Sequence, residues 1–110
     1  MLEIHLDKAH RAFFEAGIAE IIKHRGADHQ WLKLVEEMSE LTQSVTKYAN
    51  GSRALAVYDN RSEEFADVLV VMSQLFLTMT PDQQKRVIDT ALYKIKRELE
   101  RIEDEKRGLF

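Results

Sequence analysis

Apolar residues recur every three or four positions along most of this 110-residue chain, which places them on one face of an α-helix. The clearest stripe contains Trp31, Leu34, Val35, Met38, Leu41, Val45 and Tyr48. A later stripe contains Val87, Ile88, Ala91, Leu92, Ile95, Leu99 and Ile102. The pattern therefore predicts an all-α fold.

The ends of the first two helices are marked by glycines. One proline and four glycines interrupt the chain, so long helices are expected. Gly26 follows a cationic turn, which is typical of a helix C-terminus. The first helix is predicted at about 7–25 and the second at about 27–49, where Asn50-Gly51-Ser52 ends it.

The third predicted helix, from Glu63 to about Thr78, is apolar around its whole circumference. Its apolar residues are Val68, Leu69, Val70, Val71, Met72, Leu75, Phe76 and Leu77. Asn60 or Ser62 can cap it, and a short helical turn is predicted before it at Ser52–Tyr58. A helix that is apolar on all sides must be covered on all sides. Since three other helices do not readily achieve this, we expect a second subunit, in the simplest case across a two-fold interface.

The last helix has the sharpest predicted start. Thr80-Pro81-Asp82-Gln83 supplies a capping residue, a proline at the first helical position and a glutamine at the third. The helix is expected to end near Lys106. The whole chain, 1–110, is thus predicted to be one domain, a four-to-five-helix bundle completed by oligomerisation.

Charge and composition exclude several classes of protein. The chain has 16 basic and 19 acidic residues, and a net charge of −3 does not favour nucleic-acid binding. No apolar run approaches the ~20 residues of a membrane span. Without cysteine there is no disulfide and no thiolate metal site. The N-terminus lacks the features of a secretion signal, and we expect a cytoplasmic protein.

Two pairs of acidic residues form the candidate metal-binding site of the sequence. Glu37 and Glu40 are three residues apart in one predicted helix, as are Glu64 and Asp67 in another. This spacing separates two side chains by about 60° and roughly 4.5 Å, so both can reach one cation. Glu64 is also in line with the inward apolar residues of its helix, where a carboxylate needs compensation. Solvated surface is the common alternative for such pairs, but a shared site would suit Mg²⁺ or Mn²⁺.

Three segments resemble the MazG-like all-α nucleoside triphosphate pyrophosphohydrolases, a group related to dimeric dUTPases and phosphoribosyl-ATP pyrophosphatase. They are residues 36–41 (EEMSEL), 63–69 (EEFADVL) and 93–97 (YKIKR). The resemblance covers roughly residues 31–101. Residues 50–61 contain no feature that indicates a particular base.

The resemblance implies hydrolysis of a nucleoside triphosphate between the α- and β-phosphates, giving a monophosphate and pyrophosphate. Glu37, Glu40, Glu64 and Asp67 would be the ligands of Mg²⁺, for which Mn²⁺ could substitute. Glu36 would be a further ligand or the base that orients the attacking water, so Glu36 and Glu37 are the predicted catalytic pair. The assembly would be a homodimer or a homotetramer built as a dimer of dimers.

Six residues are candidates for substrate binding. They are Lys94 and Arg97 with Lys33 and Arg101 for the polyphosphate, Trp31 for stacking on a base, and Gln30 for base or ribose. Lys94 and Arg97 are one helical turn apart and carry the charge that phosphate requires. A lone tryptophan that begins an amphipathic stripe is more often a core residue, so both interpretations of Trp31 stay open.

Two alternatives remain from the sequence. One is a phosphoribosyl-ATP pyrophosphatase-like enzyme. The other is a non-catalytic adaptor or oligomerisation module, whose last helix would form a coiled coil. An adaptor gives no reason for acids at the start of the apolar third helix. The four histidines form no Glu-x-x-His pair of the kind found in di-iron bundles, and we interpret them as surface residues.

Overall fold

A computed structural model of the chain describes residues 6–50 and 59–108. These residues form four helices and no strand, which confirms the all-α prediction. The helices are α1 (Lys8–Arg25), α2 (Ala27–Ala49), α3 (Arg61–Thr78) and α4 (Pro81–Lys106). The helical turn predicted at Ser52–Tyr58 lies outside the described residues.

Local capping explains most of the helix ends. The Asp7 carboxylate accepts the backbone N–H of His10 at 2.8 Å and begins α1. Gly26, with φ of 86°, ends α1 and begins α2 in the left-handed region that glycine adopts without strain. Thr80 and Gln83 form the predicted reciprocal capping box at the start of α4.

Helix α3 begins two residues earlier than predicted. The Asp59 carboxylate accepts the backbone N–H of Arg61 at 3.1 Å and also binds its guanidinium group at 2.9 Å. The Arg61 guanidinium also lies 3.3 Å from the centre of the Tyr48 ring on α2. Ser62 is therefore inside the helix, and Asn60 directly precedes it.

The chain forms two compact units, Met1–Thr78 and Met79–Phe110. In the first unit, α3 packs against both α1 and α2, and most extensively against α2. The second unit consists of α4 and its flanks, and no residue of α4 is buried. That residues 1–110 form a single domain stays a prediction.

Helices α2 and α3 are antiparallel. The side chains of Gln30 and Gln74 are joined near the start of α2 and the end of α3. At the opposite end, Ser44 of α2 is joined to Asn60, next to the start of α3. The two helices therefore run in opposite directions, and these two polar contacts fix their register.

The described residues of the chain bury little apolar surface. Their buried apolar side chains are Ile18, Val71 and Leu75. Exposed apolar side chains of α3 are Phe65, Met72 and Leu77. Within the first unit, α1 and α2 therefore do not cover α3 on all sides. The second subunit expected to cover it stays a prediction. None of the helices in residues 6–50 and 59–108 is long and apolar enough to cross a membrane.

The α2–α3 register can be tested at the buried amide pair of Gln30 and Gln74. The Gln30 amide donates to the Gln74 carbonyl oxygen at 2.7 Å, and both side chains are almost fully buried. Gln74→Leu leaves the Gln30 amide without this partner, so we expect the free energy of unfolding to fall by about 1–3 kcal/mol. Urea denaturation measures the change.

The double variant Gln30→Leu/Gln74→Leu removes both amides together, so most of the lost stability should return. Gln43→Leu is the control, because Gln43 is exposed on the same helix α2 and should change stability by less than about 0.5 kcal/mol. A double variant less stable than Gln74→Leu would contradict the structural role of the pair.

Candidate metal centre

Helices α2 and α3 bring four carboxylates together. Glu37 and Glu40 lie one turn apart on α2, and Glu64 and Asp67 lie one turn apart on α3. One oxygen from each carboxylate can be chosen so that all four lie within 4.8 Å of one another. The antiparallel register aligns the two pairs, since the helices meet on both sides of them through the Gln30–Gln74 and Ser44–Asn60 contacts.

The four carboxylates differ in their exposure. Glu37 is buried, with 7% of its surface exposed, and Glu64 is half-buried. Glu40 and Asp67 are exposed. The cluster therefore has an inner side between the helices and an outer side from which an ion or a substrate could enter.

The two inner carboxylates each have one oxygen with a partner and one without. The Lys33 ammonium lies 3.1 Å from Glu37 Oε1. The Asn60 amide donates to Glu64 Oε1 at 3.2 Å. The other oxygens, Glu37 Oε2 and Glu64 Oε2, are buried and have no hydrogen-bond partner.

Buried carboxylate oxygens without a donor destabilise a fold unless a cation or a proton compensates them. Here two such oxygens belong to one cluster of four acids. An ordinary solvated acidic patch does not have this property, because water satisfies each of its oxygens. The two Oε2 atoms therefore distinguish the cluster from acidic surface.

Mutual repulsion is also visible at Glu40. Its pKa is raised, first by the negative charge of Glu37, then by loss of hydration and by the charge of Glu64. The pKa of Lys33 is raised as well, mainly by its hydrogen bond to Glu37. A cation bound beside Glu40 would act against this rise, because a nearby positive charge lowers the pKa of a carboxyl.

The donor set fits a hard divalent cation. All four donors are carboxylate oxygens, which Mg²⁺, Mn²⁺ and Ca²⁺ prefer over the nitrogen and sulfur ligands typical of zinc or copper. Opposite ligands are about 4.2 Å apart around Mg²⁺ and about 5 Å apart around Ca²⁺. The 4.8 Å limit of the cluster is compatible with either size after small side-chain movements.

Four other candidate residues belong to α2, namely Glu36, Lys33, Gln30 and Trp31. Glu36 is exposed and lies 3.5 Å from the Lys33 ammonium. Lys33 thus contacts two carboxylates. Its contact with phosphate stays a prediction. Gln30 is buried against Gln74, a position that favours packing over contact with substrate. Trp31 is 47% exposed, so it is not a core residue of the described chain.

The remaining candidates belong to α4, in the second compact unit. The Arg97 guanidinium lies 5.8 Å from the centre of the Tyr93 ring. Arg101 lies 3.5 Å from Glu98. Lys94 is exposed, one helical turn before Arg97. Their predicted contact with polyphosphate stays a prediction.

Sequence reasoning missed Asn60 and Ser44 as members of the site. The sequence predicts Asn60 only as a possible helix cap, but its amide donates to Glu64, and its carbonyl oxygen accepts the Ser44 hydroxyl at 2.6 Å. The four-residue separation of Asn60 and Glu64 was an available signal, since residues at this spacing are neighbours on a helix. The Ser44 contact depends on the packing of α2 against α3 and had no local signal.

Comparisons of this chain with protein-family models, curated proteins and solved structures found no match.

The raised pKa of Glu40 predicts that Glu40→Gln increases folding stability by an amount that depends on pH. Folded Glu40 keeps its proton to a higher pH than the unfolded chain does, so it favours folding at acid pH, and this contribution is lost as the pH rises through the raised pKa. Without metal, Glu40→Gln should therefore gain stability over wild type at pH 7 but not near pH 4, the ordinary pKa of a glutamate. Urea denaturation in EDTA at both pH values checks this.

Glu20→Gln is the control for that comparison, because it removes an exposed carboxylate of α1 outside the cluster. An equal effect of Glu40→Gln at both pH values would show that repulsion within the cluster does not affect the fold.

The unpartnered oxygens predict that a divalent cation stabilises the protein. An ion that binds only the folded state adds about 2.7 kcal/mol at a concentration of 100 times its Kd. We expect millimolar Mg²⁺ or Mn²⁺ to raise the Tm of wild type by several degrees, and to do so much less in Glu64→Gln. Thermal melts with EDTA or with metal measure the shift.

Glu20→Gln should keep the full metal-induced shift and so controls for loss of one negative charge. Equal shifts in wild type and Glu64→Gln would exclude Glu64 as a ligand.

Proposed function

We propose that this chain is a Mg²⁺-dependent nucleoside triphosphate pyrophosphohydrolase, which cleaves between the α- and β-phosphates and releases pyrophosphate. The observation that carries the proposal is the pair of buried, unpartnered oxygens of Glu37 and Glu64 within the four-carboxylate cluster. The resemblance of both acidic segments to MazG-like enzymes supports the choice of substrate and reaction.

The carboxylates have distinct roles in the proposed reaction. Glu37 and Glu64 form the inner wall, and Glu40 and Asp67 are the exposed ligands that substrate approaches. Bound Mg²⁺ would neutralise phosphate charge and lower the pKa of a water molecule. The raised pKa of Glu40 in the metal-free protein reflects the same negative field that would attract the ion.

Glu36 is the proposed base that accepts a proton from the attacking water. It is exposed, and it lies one turn before Glu40 on α2, where its charge contributes to the raised pKa of Glu40. The Lys33 ammonium lies 3.5 Å from Glu36 and 3.1 Å from Glu37, whose carboxylate is buried while that of Glu36 is exposed. Glu36 is thus chemically suited to this role, whereas Glu37 is suited to metal binding.

Cationic residues of α4 are the proposed contacts for the polyphosphate. Lys94 and Arg97 carry adjacent positive charges on one side of α4, and Arg101 follows one turn later. Their assignment rests on the resemblance of residues 93–97 to the family segment. Trp31, exposed on α2, is free of the core and is proposed to stack on the base.

The proposed assembly is a homodimer or a dimer of dimers. The exposed apolar side chains Phe65, Met72 and Leu77 of α3 support it, because a second copy of the chain would cover them. A non-catalytic adaptor would use the same apolar surface. It would not, however, account for the unpartnered oxygens of the acidic cluster.

Pyrophosphate release from a panel of ribo- and deoxyribonucleoside triphosphates tests the proposal. We expect Mg²⁺-dependent release from wild type, and at least about 100-fold lower kcat in Glu64→Gln and in Asp67→Asn, because each removes a charge that holds the ion. Phosphoribosyl-ATP is included, since preference for it would assign the closely related pyrophosphatase reaction.

Glu20→Gln is again the matched control and should retain wild-type kcat. Circular dichroism establishes that each variant is folded. Near-wild-type activity in both Glu64→Gln and Asp67→Asn, or no activity on any substrate of the panel, would refute the proposed enzyme.

A further inference from the structure

A chain of hydrogen bonds connects α2 to the inner carboxylate of α3. The Ser44 hydroxyl donates to Asn60 Oδ1 at 2.6 Å, and Asn60 Nδ2 donates to Glu64 Oε1 at 3.2 Å. Ser44 is buried, with 6% of its surface exposed, and Asn60 is half-buried. The Asn60 amide thus uses both of its ends to join Ser44 to Glu64.

The chemistry of position 60 is specific to an amide. Asn60 must accept a hydrogen bond from a hydroxyl at one atom and donate to a carboxylate at the other, and an amide supplies both groups in one rigid plane. An aspartate has no donor for Glu64 and would repel it. A serine is too short to span the same distance.

The contact leaves the two oxygens of Glu64 in different states. Oε1 is bound by Asn60, and Oε2 is buried without a partner. The carboxylate is therefore held from one side, and the other side remains available to a ligand. Orientation of metal-binding carboxylates by outer hydrogen bonds is a general property of metal sites.

Glu37 has the same arrangement with a different donor. Its Oε1 is bound by the Lys33 ammonium, and its Oε2 is the second buried, unpartnered oxygen. Lys33, however, brings a positive charge that opposes a bound cation. Asn60 is neutral, so it affects metal binding only through the orientation that it gives to Glu64. A substitution of Asn60 therefore tests positioning without changing the charge of the site.

We propose that Asn60, anchored by Ser44, is a positioning residue that orients Glu64 so that its free oxygen is presented to a divalent cation. The inference rests on the metal site of the proposed function and adds two residues outside the four ligands. It predicts that metal affinity depends on a hydrogen-bond chain that crosses from α2 to α3.

The experiment measures the Kd for Mn²⁺ by electron paramagnetic resonance of the free ion, without nucleotide. Asn60→Ser removes the amide but keeps a residue suited to the start of a helix. We expect it to raise the Kd about tenfold or more, the effect typical of an outer partner of a metal ligand. Ser44→Ala should raise the Kd in the same direction but less, since the Asn60 amide remains.

Two further variants separate positioning from general damage. If Ser44 acts through Asn60, the double variant Ser44→Ala/Asn60→Ser should bind Mn²⁺ no more weakly than Asn60→Ser alone. Ser73→Ala is the matched control, because Ser73 is also buried in the first unit but its hydroxyl donates to the Leu69 carbonyl of its own helix. It should leave the Kd unchanged.

Circular dichroism and metal-free melts identify variants that are merely less stable. A purely structural role for Asn60 would lower the metal-free Tm and leave the Kd of the folded protein within twofold of wild type, which would overturn the inference. If Asn60→Ser does not fold, Ser44→Ala decides, because it leaves the start of α3 unchanged. An unaltered Kd in Ser44→Ala would then overturn the proposal.

The outcomes distinguish this inference from the proposed function. Weaker Mn²⁺ binding in Asn60→Ser, with no pyrophosphate release by wild type, would support the positioning role and refute the enzyme. Pyrophosphate release by wild type with unchanged Mn²⁺ affinity in Asn60→Ser would do the reverse. Absence of Mn²⁺ binding by wild type would overturn both.

Discussion

The packing of α2 against α3 depends on how the interface accommodates negative charge. Burial of a carboxylate is unfavourable unless donors or a cation replace its hydration. One oxygen of Glu37 is bound by Lys33, and one oxygen of Glu64 is bound by Asn60. The second oxygen of each carboxylate has no hydrogen-bond donor. The interface is thus only partly compensated within the described chain, and a divalent cation would complete it.

The same interface is polar along much of its length. An amide pair joins the helices at one end, the four carboxylates lie between, and the Ser44–Asn60 contact joins them at the other end. Directional bonds of this kind specify one register, because a shift of either helix would leave buried polar groups without partners. A register fixed in this way is what a metal site needs, since its ligands must converge to within a few tenths of an ångström.

The polar interface has a consequence for stability. Few apolar side chains of the described residues are buried, and α3 leaves Phe65, Met72 and Leu77 exposed. The negative charge of Glu37 and the loss of hydration raise the pKa of Glu40, so its ionised form is disfavoured in the folded chain. Functional sites commonly conflict with stability in this way, and both metal binding and association of subunits would offset the conflict.

The sequence by itself determined the helices and the acidic pairs. Helix ends follow from local chemistry, such as the Thr80–Gln83 capping box and the glycine at position 26, and both lie where they were predicted. The spacing of each acidic pair is a property of a single helix, so it too could be read from the chain.

Only the tertiary structure decided which groups meet between helices. Gln30 meets Gln74 across 44 positions of sequence, and Ser44 meets Asn60 across 16. The burial of Glu37 and the two hydrogen bonds of Asn60 depend on how α2 packs against α3, and the 47% exposure of Trp31 is likewise a feature of the folded chain. Periodicity assigns a residue to a face, but the neighbouring helix sets its depth and its hydrogen-bond partners, because those depend on contacts that no local pattern encodes.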